Sequence, residues 1–301
     1  MDAVYSCAEG ITGGGAMKRR LLCAALLCLA MSAWAQRVVT DETGRKVTVP
    51  EHPHRIVCLL PSAVDDLYAL GAGDDIVAVT DFVKYPEVAR KKPSVGLPLT
   101  PSLEAIVAAH PDLVIGGWSK KGGEDLQPLL TYGIPLYMID PHGLQAIYST
   151  LLGLGRVLNR ETQATALVTQ LRAREQAVRA RAVGKPKVRV FMPVWYDPIT
   201  TIGKNSFISE LIETAGAKSV TDDITQEWPQ VSLEAILARK PDVLLLVKGE
   251  KFTLHDLQNR PAWNLLDAVR NGKVVYLDDR IEFPSPIAID ALEELSKALY
   301  P

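Results

Sequence analysis

The sequence predicts an α/β protein built as two Rossmann-like lobes with mainly parallel sheets, joined by one long α-helix. Three observations lead there: a helix-turn-strand segment that occurs twice, aliphatic strand-like runs alternating with helical stretches in both halves, and an unbroken helical run between them. Along the chain, the boundaries read as a leader and signal peptide over 1–35, an N-terminal α/β lobe over 36–160, a connecting helix over 161–184 and a C-terminal α/β lobe over 185–301.

In the leader, Lys18-Arg19-Arg20 precede an apolar run of 13 residues, Leu21 to Ala33, and Ala33-Trp34-Ala35 has the small-x-small form of a signal peptidase site. A membrane-spanning helix needs about 20 residues, so the run reads as a cleavable secretory signal with the mature chain starting near Gln36. Met17 reads as the natural initiator. Neither Cys23 nor Cys28 follows the small residue that a lipid anchor requires. Three of the four cysteines leave with the signal, so the exported chain keeps Cys58 alone, expected as a small buried hydrophobe. The whole chain has 301 residues, 48% hydrophobic and 23% charged, too apolar for disorder, and 33 basic against 35 acidic side chains imply no nucleic-acid partner.

The repeat defines both lobes. Ser102 to Ile115, SLEAIVAAHPDLVI, recurs as Ser232 to Leu245, SLEAILARKPDVLL, with eight of 14 positions identical. In each copy the serine suits a helix N-cap, aliphatic residues follow at helical spacing, Pro-Asp ends the helix, and an aliphatic run reads as a buried strand. A weaker match pairs Asp66-Leu67-Tyr68-Ala69-Leu70-Gly71-Ala72 with Glu210-Leu211-Ile212-Glu213-Thr214-Ala215-Gly216-Ala217, each after a β-rich run, Ile56 to Leu60 and Val188 to Met192. Later β-like segments, Pro135 to Asp140 and Val274 to Asp278, complete two similar sets. Between them, Glu161 to Ala182 contains no Gly or Pro and places Leu167, Val168, Leu171 and Val178 on one stripe. Such a strut resists relative motion of the lobes.

No Gly-x-Ser-x-Gly elbow, His-Glu-x-x-His pair, P-loop or Gly-x-Gly-x-x-Gly follows any strand, so the chain reads as a non-enzyme with no cofactor. His52-Pro53-His54 has imidazoles that suit a metal, but its polar, proline-bearing setting reads as a solvated turn, and no metal site is assigned. Glu104 and Glu234 occupy the same repeat position in opposite lobes. An acid in the first turn favours the helix N-terminus, which explains an acid but not a matched glutamate pair; a symmetric partner with two basic groups explains the pair. Aromatic residues gather after strands: Phe82 and Tyr85 after Ile76 to Thr80, Trp118 after Leu113 to Ile115, Trp195 and Tyr196 after Val188 to Val194, and Trp228 before the second repeat. Each alone reads as core; together, beyond strand carboxyl ends, they read as a cleft for a large flat or apolar ligand. Trp263 reads as packing. Lys84, Lys120, Lys121, Lys204, Lys248, Lys251 and Arg280 share those loops and suit an anionic ligand where they converge.

With these residues in view, the sequence resembles the periplasmic binding proteins of iron-siderophore, haem and vitamin B12 ABC importers, those with two α/β lobes on one helix. The resemblance runs from about Asp41 to Pro301, through Asp41-Glu42-Thr43-Gly44-Arg45, Arg55-Ile56-Val57, Pro61-Ser62, Leu70-Gly71-Ala72-Gly73-Asp74, both repeat copies and Arg260-Pro261-Ala262-Trp263. It implies a monomeric periplasmic protein that clamps a metal chelate and serves an inner-membrane ABC permease dimer and its ATPase, with Glu104 and Glu234 meeting permease arginines. Trp228-Pro229-Gln230-Val231-Ser232 and Thr201-x-Gly203-Lys204 look most like the vitamin B12-binding members, in which the tryptophan borders the corrin. The resemblance thus implies a corrinoid ligand, with Phe82 as a contact. The chain departs from that group at Pro98, where they offer another tryptophan, which keeps a ferric siderophore or haem open. An exported hydrolase or oxidoreductase would need a nucleophile and base or a nucleotide loop, and a metal-ion binder would need His and carboxylate ligands from both lobes.

Overall fold

A computed structural model of the chain describes residues 36–117, 123–249 and 253–301. The predicted leader and signal peptide lie outside the described residues, as do Trp118, Lys120, Lys121 and Lys251.

The N-terminal half opens with the hairpin β1 (Gln36–Thr40) and β2 (Lys46–Pro50). It continues through β3 (Ile56–Cys58), helix α1 (Pro61–Ala69), β4 (Ile76–Val79), the short hairpin β5 (Gly96–Leu97) and β6 (Thr100–Pro101), α2 (Leu103–Ala108), β7 (Leu113–Gly117), α3 (Pro128–Thr131), β8 (Leu136–Ile139) and α4 (Leu144–Val157). Helix α5 (Glu161–Arg181) follows. The second half holds β9 (Arg189–Phe191), the hairpin β10 (Pro193–Tyr196) and β11 (Ile199–Thr201), α6 (Phe207–Thr214), β12 (Lys218–Ser219), α7 (Leu233–Arg239), β13 (Val243–Val247), α8 (Leu254–Asn259), α9 (Asp267–Arg270), β14 (Val274–Leu277) and α10 (Ala288–Leu299). Two four-stranded sheets result, β4-β3-β7-β8 and β12-β9-β13-β14, with every pairing parallel. The two orders match strand for strand, as expected of two lobes from one pattern. The three hairpins were not foreseen; the strands of the last two, with two to four residues each, are too short for a periodic signal.

The repeat carries its local structure in duplicate. Ser102 Oγ accepts from the Ala105 N–H at 3.2 Å, and Ser232 Oγ from that of Ala235 at 3.2 Å. Both helices end through a left-handed residue before proline, His110 at φ 47° and Lys240 at φ 48°. The next aspartate then ties the unit to the central strand: Asp112 accepts from Arg55 N–H at 3.0 Å, and Asp242 from Arg189 N–H at 2.8 Å.

Each sheet is aliphatic on both faces, as parallel strands between helices must be. One face has a private core, with Val57, Ile106 and Val114 in the first half and Phe191, Ile236 and Leu244 in the second. The other faces share a single apolar cluster running from Ile56 and Leu67 through Leu151, Val168 and Leu171 to Leu211 and Leu292. Helix α5 sits in that seam. Its buried residues Ala164, Val168, Leu171, Glu175 and Val178 recur at steps of three and four, one face of a helix roughly 31 Å long. Glu175, buried among them, accepts from Tyr148 Oη of α4 at 2.8 Å and from Arg179 Nε at 2.8 Å, which satisfies its charge.

Two carboxylates exchanged between the halves set their orientation. Asp65 of α1 accepts from Ser285 Oγ at 2.9 Å and Ile287 N–H at 3.3 Å, where α10 begins. Reciprocally, Glu210 of α6 accepts from the Leu144 N–H at 3.0 Å, the first residue of α4. No side chain of its own segment caps either helix, so each half supplies the acceptor for the other. Gly143 makes room, since a Cβ there would stand 2.4 Å from the Glu210 carboxylate. The left-handed Gly71 (φ 76°) and Gly216 (φ 88°) close α1 and α6 alike, and aligned on them Asp65, not Asp66, is the counterpart of Glu210. That corrects the register of the weaker repeat by one residue.

Asp66 instead points into the core, fully buried, with Oδ1 lacking a hydrogen-bond partner among the described residues. Burial, reinforced by Asp65 and Glu42, pushes its carboxyl well above the ordinary value. The folded protein therefore keeps this proton where the unfolded chain, titrating near pH 4, has lost it. This group's contribution is full below about pH 4 and is lost as pH rises toward the folded pKa. Asp66→Asn is expected to stabilise the protein at neutral pH by about 1–3 kcal/mol and to flatten that decline. Urea unfolding of both proteins from pH 4 to pH 8 checks this; parallel pH profiles would refute it.

Candidate ligand cleft between the lobes

Among the described residues, the side-chain hydrogen bonds that join the halves link segments that follow strands or open the helices after them. Asp65 follows β3 and Ser285 follows β14; Leu144 follows β8 and Glu210 follows β9; Lys84 and Tyr85, after β4, reach Asp279, after β14. The carboxyl ends of the two sheets therefore face one another, the place where open parallel sheets receive ligands.

In the N-terminal half Phe82 is one of the exposed aromatic residues. Its ring is 70% exposed and its backbone left-handed, φ 69°, a conformation that a bulky residue adopts only where its surroundings impose it. The neighbouring Asp81 does so: its N–H donates to Gly96 O at 2.8 Å and its carboxylate accepts from Ser94 Oγ at 2.6 Å. Beside it an apolar depression is lined by Leu59 and Leu60 after β3, Gly117 at the end of β7, and Pro98, Leu99 and Pro101 of the β5–β6 hairpin. Leu60 packs where a Gly117 Cβ would stand, 2.4 Å away, so the glycine admits the leucine. Leu99, 84% exposed, and Leu60 were missed from the sequence; the departure at Pro98 was the available signal, since the aliphatic surface sits beside it.

In the C-terminal half Trp195 and Trp228 are 62% and 48% exposed. Trp195 lies on β10, its Nε1 donating to Asp197 O at 2.9 Å. Tyr196, expected beside it as a ligand contact, does not line the cleft. The hairpin alternates its side chains, so Tyr196 turns inward to 6% exposure and packs on Trp263 at a ring separation of 5.6 Å. Trp263 is core, as expected. Trp228 is held by backbone pairing of its segment with the end of β11 and the residues just after it: Thr201 N–H to Pro229 O at 3.0 Å and Gly203 N–H to Glu227 O at 2.9 Å. Gly203 is what lets the segments meet, because a Cβ there would lie 1.8 Å from Gln226 O.

Tyr85 lies at the rim, but its hydroxyl donates to Asp279 Oδ1 at 2.5 Å, a bond that, with burial, raises its pKa. Lys204 stands away from the cleft, in a surface pocket with Lys187 and Lys218. Cys58 is buried, and burial pushes its thiol to about 12. His54 Nδ1 lies 3.2 Å from Asp75, and among the described residues no three His, Cys, Asp or Glu side chains are arranged to hold a metal. Glu104 and Glu234 project exposed from the first turns of α2 and α7. Glu234 is held below the ordinary glutamate pKa by its own N–H and then the Ser232 hydroxyl.

The periplasmic binding protein family matches residues 56–281, most of the chain. The chain belongs to the periplasmic binding protein family. It is 29% identical over 271 residues to the Bacillus subtilis substrate-binding lipoprotein YvrC of an ABC transporter, an alignment covering 87% of this chain and 85% of that one. It is 28% identical over 255 residues to the vitamin B12-binding protein of Vibrio parahaemolyticus, covering 83% and 90%. The solved haem-binding protein RhuT of Roseiflexus superposes with a TM-score of 0.74 at 26% identity, covering 82% of this chain and 98% of that one. This periplasmic binding protein is thus a substrate-binding component of an ABC transporter and not an enzyme. Its two-lobed fold is the one that the sequence predicts.

Because Gly203 sets where Trp228 stands, Gly203→Val is expected to destabilise the fold by about 1–3 kcal/mol through overpacking and to displace the ring. Thermal unfolding and the tryptophan emission maximum report the two effects; a variant matching the wild type in both would remove Gly203 from this role.

Proposed function

We propose that this binding protein is the extracytoplasmic, solute-capturing component of an ABC importer whose cargo is a flat metal chelate, a corrinoid by preference. It holds the chelate between its lobes and passes it to a permease dimer and its ATPase at the inner membrane. One observation supports the reading: large rings are left exposed in both halves, Phe82 in the N-terminal half and Trp195 and Trp228 in the other. Exposed rings of this size on a rigid scaffold are unusual unless something covers them. Covering about 100 Å² of a ring contributes roughly 2.5 kcal/mol, so three rings together offer about 7.5 kcal/mol against the cost of association. The vitamin B12-binding relative supports the corrinoid, and the signal at 1–35 supports secretion to the periplasm.

The solved haem-binding relative supports a second reading, the same role for haem or a ferric siderophore. Titration of the mature chain with cyanocobalamin, haemin and ferric siderophores, followed by tryptophan fluorescence, separates the two. Quenching by cyanocobalamin at low concentration is the expected result, and Trp228→Ala should weaken that binding by about 2–3 kcal/mol, the loss of one central ring. Response to a ferric siderophore alone would overturn the corrinoid assignment.

Glu104 and Glu234 are the proposed docking pair. Their identical placement on equivalent helices supports recognition by a two-fold symmetric permease. Glu104→Arg with Glu234→Arg should abolish uptake while chelate binding stays within about twofold of the wild type, since both carboxylates are solvent-exposed on helix first turns. Undiminished uptake by the double variant would end the docking role.

A further inference from the structure

At the cleft rim, two and three residues beyond Phe82, Lys84 and Tyr85 meet Asp279 from the opposite lobe. Lys84 Nζ donates to Asp279 Oδ2 at 2.7 Å and Tyr85 Oη to Oδ1 at 2.5 Å. Phe283 backs the contact, its ring edge-on to Tyr85 at 5.7 Å between centroids and 5.6 Å from the Lys84 ammonium. Asp279 is presented on a braced turn. The adjacent Arg280 binds Asp278 at 2.7 Å, Asp290 at 3.3 Å and Glu294 at 2.6 Å, and Arg174 of α5 ties Asp290 and Glu293 at 2.6 Å and 2.8 Å.

This arrangement decides which charges the rim offers a ligand. Three cations on the loops after the strands face a carboxylate of the protein: Lys84 with Asp279, Lys248 with Glu294 at 4.0 Å, and Arg280 with its three acids. Lys84 differs from the others in taking its partner from the far side of the cleft. An anionic chelate could gain the ammonium only by displacing Asp279. That carboxylate, braced in place and within electrostatic range of Glu282, would then face the ligand's own negative charge. A chelate without net negative charge meets no such opposition.

We propose that Asp279 is a specificity residue of the cleft: by reaching across to hold Lys84 and Tyr85, it withholds the rim ammonium from the ligand and turns the site against anionic chelates. This rests on the reading of the cleft as a chelate site. It deepens that reading by assigning the charge selectivity to one side chain.

The test titrates wild type, Asp279→Ala, Asp279→Asn and Asp279→Ala with Lys84→Ala by tryptophan fluorescence. Cyanocobalamin, which is neutral, and haemin, which carries two propionates, serve as probes, at low and high salt. Releasing Lys84 in Asp279→Ala should tighten haemin by about fivefold at low salt, the scale of a half-exposed ion pair, and leave cyanocobalamin within about twofold. The gain should vanish in the double variant and shrink at high salt. Asp279→Asn, which keeps hydrogen-bonding capacity without the charge, should show the same direction and covers the case of a misfolded alanine variant. Unchanged haemin affinity in both single variants, or an equal gain for both chelates, overturns the proposal while a cyanocobalamin-binding wild type preserves the chelate reading. Binding of neither chelate by the wild type overturns both.

Discussion

The exchange of helix caps between the halves is the constraint on which the rest depends. Asp65 receives the start of α10 and Glu210 the start of α4, so neither half satisfies the beginning of its own last helix. A buried helix end without an acceptor leaves backbone donors stranded, which makes separation of the halves unfavourable beyond any loss of apolar contact. Both acceptors sit on the helix that follows the central strand, and both donors on the helix that follows the outermost one. That pairing relates the halves by an approximate two-fold axis, and only such a relation turns both carboxyl edges toward one gap.

The apolar seam around α5 then limits what the gap can do. Because one cluster of side chains runs without a break from Leu67 to Leu292, widening the cleft by more than a small rocking motion would open dense packing. Glu175, shared by Tyr148 and Arg179, adds a buried polar joint whose geometry tolerates little displacement. The walls are accordingly preformed. Phe82 is held in a left-handed conformation by its neighbours, and Trp228 by main-chain bonds across Gly203, so neither ring needs ordering when covered. Preorganisation of this kind raises affinity without adding contacts.

Much of this was legible in the sequence because the same physics was written twice. Serine caps, helical aliphatic spacing and Pro-Asp stops recur in both halves, and recurrence separates pattern from accident, which is why the sheets, the strut and the glutamate pair could be placed. What failed lacked periodicity. The hairpins β5–β6 and β10–β11 have strands of two to four residues. Without the second hairpin, Trp195 and Tyr196 looked equivalent, whereas pairing with β11 sends them to opposite sides. The cap partners were hidden for a different reason: Asp65 and Ser285 lie 220 residues apart, and no local signal links an acid on one helix to the start of another. The one-residue slip between Asp65 and Asp66 shows the limit, because two adjacent acids differ in role only once the left-handed glycines fix the register.

Symmetry holds in the repeat helices and fails in the loops that carry the exposed rings. The two repeat helices agree in cap distance, in the left-handed residue before proline and in the aspartate that ties them to the central strand, although 130 residues of chain separate them. Core packing alone does not demand such agreement, since cores accept many aliphatic exchanges; the copies do exchange aliphatics at four positions while keeping Ser, Glu and Pro-Asp. The cleft walls share none of this. One offers Phe82 and an aliphatic hairpin, the other two indoles, and the rim contact of Lys84 and Tyr85 with Asp279 belongs to one side. A two-fold partner needs equal presentations from both halves, whereas an asymmetric chelate needs unequal ones. The duplicated scaffold allows both because caps and strand ties fix the repeat helices whatever residues the adjoining loops carry, so those loops are free to diverge.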